Sequence, residues 1–302
     1  MSNKDKCAPG KYDKKNNTCF SQKQLSEMAK AYNRYISKKK LSPSNKSNTD
    51  LHIISDTNAD VKTLLKEFKT IFGNIDEKEI TQLAFMKEII NEMYDDIVNE
   101  TFRPDGPNGP TEWLSTIDIN QIMVQYHNVY PDFNFLGAVP LDCDEVSRCS
   151  LFKIDFSKYH DEGNTKLGVI FNLDRHDEPG SHWVALYMDT NNGHIYFCDS
   201  VGNKPSKNIN NIIEKFKEYY KKRTGKNATF KYNPKQYQRD GSECGVYSCN
   251  FIIRMLAGEP FDEIINKSLP FEKINGCRNK YFNNSPVPNN KVDTLCDPGE
   301  RN

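Results

Sequence analysis

Gln238-Arg239-Asp240-Gly241-Ser242-Glu243-Cys244-Gly245 is the stretch that decides how this chain folds and what chemistry it carries. It sets an amide side chain six residues before a thiol. The thiol opens an apolar segment that runs from Cys244 to Ala257 and is closed by Gly258. Apolar residues extend round most of that segment's helical circumference, the pattern of a central, buried helix. Ser242 is the expected N-cap. Cys244 then lies in the first turn, where unpaired N–H groups and the helix dipole favour a thiolate. Cys249, five residues on, points elsewhere and reads as packing. A thiol nucleophile needs a donor for the oxyanion that forms on its target, and Gln238 can supply one.

The partners of such a thiol stand upstream, in Ser181-His182-Trp183 and Cys198-Asp199-Ser200. Trp183 to Met188 and His194 to Cys198 are rich in strand formers, and the turn-rich Asp189-Thr190-Asn191-Asn192-Gly193 joins them as a hairpin. Folding the hairpin about Asn191 puts His182 opposite Ser200 and Trp183 opposite Asp199, with a slip of one residue also allowed. In either register the histidine at one strand's start lies beside the aspartate at its partner's end. Opposed residues have Cβ atoms ~5 Å apart, close enough for a carboxylate to accept an imidazole N–H and fix its tautomer. Asp199 also suits the turn into Val201-Gly202-Asn203, and can serve both purposes. Together these residues read as a Cys–His–Asp thiol hydrolase.

His182-Trp183, Asp199 and Gln238-x5-Cys244-Gly245 resemble the cysteine proteases grouped around adenovirus protease and the SUMO (ubiquitin-like modifier) proteases. Glu112-Trp113-Leu114-Ser115 and Ile119-x2-Ile122-Met123 are similar to that family's Trp-Leu-Asn-Asp segment and the helix after it. Ser115-Thr116 stands where the family has Asn-Asp, so the polar contacts of that aspartate are not carried over. Gly180 to Asp189 is most similar to the branch from large cytoplasmic DNA viruses, which includes the African swine fever virus polyprotein protease. The resemblance covers residues 111 to 270. It implies an α+β, papain-like core whose central mixed sheet packs on the helix bearing the nucleophile. It also implies catalytic roles for His182, Asp199, Gln238 and Cys244, and a narrow tunnel, walled by Trp183 and Trp113, that accepts Gly-Gly. No cofactor is implied, although adenovirus protease uses DNA, which suggests nucleic acid as an activator here.

Length and composition agree with an enzyme carrying an appendage. A chain of 302 residues can bury one large core or two smaller ones. No apolar run approaches the ~20 residues needed to span a bilayer, and no secretion signal follows Met1. Nine scattered cysteines with no Cys-x-x-Cys read as reduced thiols rather than a disulfide framework. Cys7 with Cys19, and Cys143 with Cys149, are the pairs that could bind a metal or join. The zero net charge divides unevenly: residues 1–50 hold 12 Lys or Arg against 4 Asp or Glu. A basic arm of this kind attracts nucleic acid or an acidic partner, while the plainer reading is a solvated, Lys-rich helix and linker.

The expected domains are a helical, basic N-terminal region (1–103), a cysteine protease domain (111–274) and a polar C-terminal tail (275–302). The Pro- and Gly-rich Pro104 to Pro110 marks the first boundary. In the N-terminal region, Ser21 to Gln24 is a capping box opening a helix. Ser37 to Asp50 reads as a linker. Helices are expected over Val61–Phe72 and Glu77–Phe102. In the protease domain, strands are expected near Ala138, Phe152 and Gly168, then the hairpin, a helix over Ile209–Lys222 and a strand over Ala228–Tyr232.

The function expected is a cysteine endopeptidase that cleaves after Gly-Gly-like sites and processes viral structural polyproteins during virion maturation. Its expected location is the virion and the host cytoplasm. Its partners would be a protein substrate with Gly-Gly-X sites and, through residues 1–50, nucleic acid. Three alternatives carry some of the same features. They are a protease that deconjugates ubiquitin-like modifiers, an acetyltransferase with a similar triad, and a nucleic-acid- or core-binding structural protein with a vestigial protease fold.

Overall fold

The computed structural model describes residues 3–40, 52–90, 92–146, 149, 151–288 and 292–298. The chain divides into two compact units, 1–103 and 104–302.

The first unit is helical. Helix α1 (Gln22–Lys40) opens on a reciprocal capping box: Ser21 Oγ accepts the Gln24 N–H at 3.2 Å, and Gln24 Oε1 accepts the Ser21 N–H at 2.8 Å. It buries Leu25, Met28, Ala29, Tyr32 and Ile36, one face of a 3.6-residue period. Asp60 caps α2 (Val61–Phe72) by accepting the Thr63 N–H at 2.9 Å. The rings of Tyr32, Phe68, Phe72 and Phe85 cluster between them.

The single helix expected over Glu77–Phe102 is instead broken into Glu77–Ile80, a 3₁₀ turn at Ala84–Glu88, and α3 (Glu92–Asn99). The buried residues explain the break. Ile80, Phe85, Met86, Ile89, Ile97 and Phe102 would point all round a straight helix at about 100° per residue, so no single face could bury them together. Of the expected linker, 41–50 lies outside the described residues, and Ser37–Lys40 extends α1. The basic arm is also less bare than its composition suggests: Lys6, Lys11, Lys30 and Lys38 pair with Asp76, Asp96, Glu27 and Glu88.

The second unit is α+β. Helix α4 (Thr116–Val124) is capped by Ser115, which forms a full capping box with Asp118. A five-stranded mixed sheet follows, in the spatial order β1-β2-β3-β4-β5. Its strands are β1 (Phe133–Pro140), β2 (Lys166–Asn172), β3 (Trp183–Asp189), β4 (His194–Cys198) and β5 (Thr229–Tyr232). β1 and β2 are parallel, as are β4 and β5, and the β2–β3 and β3–β4 pairs are antiparallel. Phe152 lies in a 3₁₀ turn (Leu151–Lys153) and not in a strand. Few residues separate Cys149 from Asp155, which caps the next turn, Phe156–Asp161. The chain therefore turns to bury Leu151 rather than running along a neighbour.

All seven residues of β3 are buried. Val184, Leu186 and Met188 face α5 (Lys207–Thr224), which presents Ile209, Ile212, Ile213, Phe216 and Tyr220 at helical spacing. Trp183, Ala185 and Tyr187 face α6 (Cys244–Leu256). A strand covered on both faces reads as an unbroken apolar run, as this one does.

The hairpin pairs Ala185 with Cys198 and Asp189 with His194, the register shifted by one residue from a turn centred on Asn191. The loop sets the shift. Asp189 Oδ1 accepts the N–H groups of Asn191 and Asn192, at 2.9 and 3.0 Å, and Gly193 adopts φ 67°.

Two expectations fail by their physics. The segment from 275 is no tail. After α7 (Phe261–Asn266), α8 (Phe271–Gly276) and α9 (Arg278–Tyr281) bury Ile274, Cys277, Arg278, Tyr281 and Phe282, and Cys296 is buried beyond them. The Asn-rich composition conceals this one-sided burial. Nor are the thiols all reduced: Cys7–Cys19, Cys143–Cys149 and Cys277–Cys296 are disulfides. Folding brings their Cα atoms to 5.2, 5.5 and 5.0 Å, within bridging range. Cys198, Cys244 and Cys249 are free and buried.

Leu186 is fully buried on the α5 face of the central strand. Leu186→Ala should therefore cost roughly 2–5 kcal/mol, read as a lower urea midpoint followed by circular dichroism. An unchanged midpoint would mean that this layer is not packed as described.

Candidate active site

His182 stands immediately before β3, its carbonyl accepting the Leu173 N–H at 2.9 Å. The loop that delivers it is clamped by Asn172, whose Oδ1 accepts the N–H of Asp174 at 3.1 Å and of Ser181 at 3.4 Å. Ser181 Oγ donates to Asp174 at 2.6 Å. Gly180 turns the loop at φ 89°, and a Cβ there would run into the Asn172 amide.

Asp199 follows β4 directly and is 1% exposed. One oxygen, Oδ1, accepts His182 Nε2–H at 2.6 Å and the Val201 N–H at 2.8 Å, while Oδ2 accepts the Asn203 N–H at 3.1 Å. The Asn233 amide brackets the same residue, accepting the Asp199 N–H at 2.8 Å and donating to the Asp199 carbonyl at 2.6 Å. Asp199 thus both builds the turn and orients the imidazole. Gly202 makes the turn possible: its φ is 88°, and a Cβ would press on the Lys235 backbone. Burial opposes ionisation of Asp199, but the hydrogen bonds from His182 and Val201 outweigh it and hold the carboxyl below its ordinary range.

With Nε2 given to Asp199, His182 has Nδ1 left, and the Cys244 thiol lies near enough to act on the ring's charge. Burial works against the imidazolium. The hydrogen bond to Asp199 and the neighbouring Cys244 prevail, and the His182 pKa is raised from 6.5 to about 9. Cys244 is 3% exposed and is the first residue of α6.

The helix start differs from expectation. Glu243, not Ser242, holds the N-cap position, and it makes no side-chain cap. Asp240 Oδ1 instead accepts the N–H groups of Ser242 and Glu243, both at 2.9 Å. The first-turn N–H groups beyond them have no intrahelical acceptor. Burial pushes the Cys198 thiol up to about 12 and raises that of Cys249 as well.

Gln238 is buried. Its Oε1 accepts the Ser200 hydroxyl, and its Nε2 donates to the Asp240 carbonyl at 3.0 Å. The loop before Cys244 is thereby tied to the strand end that carries Asp199. The second amide hydrogen faces only a long contact of 3.5 Å to Asp240 Oδ1, which leaves it able to serve another acceptor.

A cleft of about 490 Å³ opens beside His182 and is lined by Trp113, Trp183, Gly180 and Ser181 among others. Trp183 is nearly buried, and its indole N–H donates to the Leu114 carbonyl at 3.0 Å. Trp113 is 48% exposed. One indole therefore forms fixed wall, and the other stands at the mouth.

Asp142, His176 and Asp177 bring potential metal ligands within 4.8 Å of one another at the same cleft's edge. The guanidinium of Arg175 already lies 3.4 Å from Asp142 and 3.5 Å from Asp177, and its charge would repel a cation. His176 bonds Asp142 at 2.7 Å.

The sequence reading missed Asn233, Ser200 and the Leu114 carbonyl. Only the first carried a signal, an Asn-Pro turn directly after a strand.

A thiol in a helix's first turn, an imidazole beside it and a buried carboxylate behind the imidazole can transfer the thiol proton and attack a carbonyl carbon. This is the equipment of a thiol hydrolase. Residues 166–285 match the Ulp1 protease family, C-terminal catalytic domain. The chain is 57% identical over 295 residues to a thiol protease of Acanthamoeba polyphaga mimivirus, spanning 97% of both chains. It belongs to the Ulp1 protease family and is a cysteine peptidase. A cysteine protease of African swine fever virus is 23% identical over 195 residues, covering 60% of this chain and 71% of that one. The crystal structure of an African swine fever virus protease has the same fold, with a TM-score of 0.60 at 20% identity over 93% of this chain and 97% of that one.

The raised His182 pKa has a defined sign. Protonated His182 adds stability that is fully present below pH 6.5 and is lost as pH rises through about 9. By NMR the imidazole should titrate near 9, and Asp199→Asn should move the midpoint down. A midpoint near 6.5 that ignores this substitution would contradict the described pairing.

Proposed function

We propose that this cysteine peptidase is an endopeptidase that cleaves after Gly-Gly-like sites and processes viral structural polyproteins during virion maturation. It would act in the virion and at assembly sites in the host cytoplasm. The observation that carries the chemistry is the alignment of Cys244, His182 and Asp199 across a helix start and two strand ends. The viral assignment is supported by the match to a mimivirus thiol protease along nearly the whole chain.

In this reading His182 Nδ1 takes the Cys244 proton, and the thiolate attacks the scissile carbonyl carbon. The oxyanion accepts hydrogen bonds from the Cys244 backbone N–H and the second amide hydrogen of Gln238. As the C–N bond breaks, the imidazolium returns its proton to the leaving amine and a thioester remains. A water molecule then gives one proton to His182, its oxygen attacks the thioester, and the thiol is restored as the acid departs. Asp199 holds the ring throughout and stabilises its charge.

Specificity follows from the cleft. The Trp183 indole is immobilised by the Leu114 carbonyl, so it cannot swing aside for a Cβ near the attacked carbonyl. Trp113 lines the same cleft. A substrate with no side chains at that point would fit best, which supports the Gly-Gly reading.

Cys244→Ala should abolish cleavage with the fold retained, a loss of ~10⁴-fold or more. Gln238→Ala should lower kcat by ~10²–10³-fold with KM nearly constant. On Gly-Gly-X peptides, Leu at either glycine should remove most cleavage, and Trp183→Ala should relax that demand. The same tail should be compared on a folded ubiquitin-like modifier. Similar efficiency on both supports the polyprotein protease, whereas a thousandfold preference for the modifier makes the chain a deconjugase.

A further inference from the structure

Glu243 and Arg278 form a buried ion pair directly before Cys244, and no step of the proposed reaction uses it. Glu243 is 0% and Arg278 1% exposed. Arg278 Nε donates to Glu243 Oε2 at 3.1 Å, and Nη2 donates to Oε1 at 3.1 Å. Glu243 occupies the N-cap position of α6 and caps nothing. A carboxylate at a helix start ordinarily accepts first-turn N–H groups. Here it is turned onto a guanidinium, so the N–H groups beside the Cys244 thiol stay clear of it.

The pair joins three segments. Arg278 Nη2 also donates to the Glu112 carbonyl at 2.6 Å. Asn275 Nδ2 donates to the Pro110 carbonyl at 2.6 Å and to Glu243 Oε1 at 3.2 Å. The start of α6, the 110–114 segment and the helices α8 and α9 therefore share one carboxylate. Leu114, at the end of that segment, holds the Trp183 indole. It also packs so closely on Gly245 that a Cβ there would lie 3.1 Å from the Leu114 Cβ. The Cys277–Cys296 disulfide anchors the Arg278 side of the knot.

Stability alone does not call for this arrangement. Replacing a buried ion pair by apolar residues of similar volume is often neutral or stabilising. Placement does call for it: a forked guanidinium fixes direction as well as distance, and the residue whose carboxylate it holds directly precedes Cys244 in the chain.

We propose that Arg278, acting through Glu243, is a positioning residue that sets the Cys244 thiol against His182, making the C-terminal segment part of the active site. The proposal rests on Cys244 being the nucleophile. Displacement of a reacting atom by about 1 Å can cost ~10²-fold in rate.

Two variants test it. Glu243→Leu/Arg278→Met leaves no buried charge, and Arg278→Lys keeps the charge but loses the fork. Each should lower kcat by ~10–10²-fold with KM changed less than about threefold. Iodoacetamide should alkylate Cys244 correspondingly more slowly, and the His182 NMR midpoint should fall as its thiol contact loosens. A purely structural pair would shift the melting temperature and leave these readings in place. Folded Arg278→Lys with wild-type kcat and alkylation rate overturns the proposal, whether or not the double variant folds. Cys244→Ala is the separate control. If it stays active, the assignment of the nucleophile fails, whereas an inactive Cys244→Ala beside a fully active Arg278→Lys sinks only the positioning role.

Discussion

A helix with no polar face must be covered on every side, and the second unit is organised around that constraint. All thirteen residues of α6, Cys244 to Leu256, are buried, including Ser248, Asn250 and Arg254. The sheet covers one side through β3, where Ser248 Oγ reaches the Trp183 carbonyl at 3.2 Å. The C-terminal residues cover another: Asn250 Nδ2 donates to the Leu295 carbonyl at 2.8 Å. Tyr247 donates to the Leu269 carbonyl at 2.7 Å. A helix fixed this firmly along its length holds its first residue, Cys244, at a defined place beside the strand ends.

The site then needs few parts because each serves twice. Asp199 receives the imidazole and two backbone N–H groups, so the turn that ends β4 and the orientation of His182 rest on one carboxylate. Gln238 links the loop before the thiol to Ser200, beside that carboxylate. Trp183 is a β3 core residue and a cleft wall at once. Such double use leaves little slack: a change to the turn at Gly202 reaches Asp199 directly, and loss of the Leu114 carbonyl would free the Trp183 wall.

Much of this was legible in the chain. The apolar, uninterrupted β3 and the one-faced α5 announce themselves by period, and the Asp60 and Ser206 caps suit the helices they open. The hairpin between His182 and Asp199 was legible too, to within one residue of register. Local rules miss where the local signal is ambiguous. Ser242 is as good a cap by type as Asp240 is a turn former, and the turn won because Asp240 satisfies two N–H groups at once. The 77–102 segment has a helix former's composition and no helical face. The Asn-rich C-terminal segment looks polar because its buried side is spread over short helices.

By itself the sequence determined where the candidate groups stand: a thiol at a helix start, an amide six residues before it, and a histidine and an aspartate at adjoining strand ends. These are consequences of period, cap and turn, which act over a few residues. Tertiary structure decided what depends on distant partners. It brought Arg278 onto Glu243, joined Cys277 to Cys296, set Asn233 around Asp199 and placed Leu114 against Trp183 and Gly245. No spacing rule encodes such pairs, because their energy appears only when folding removes water from groups far apart in the chain.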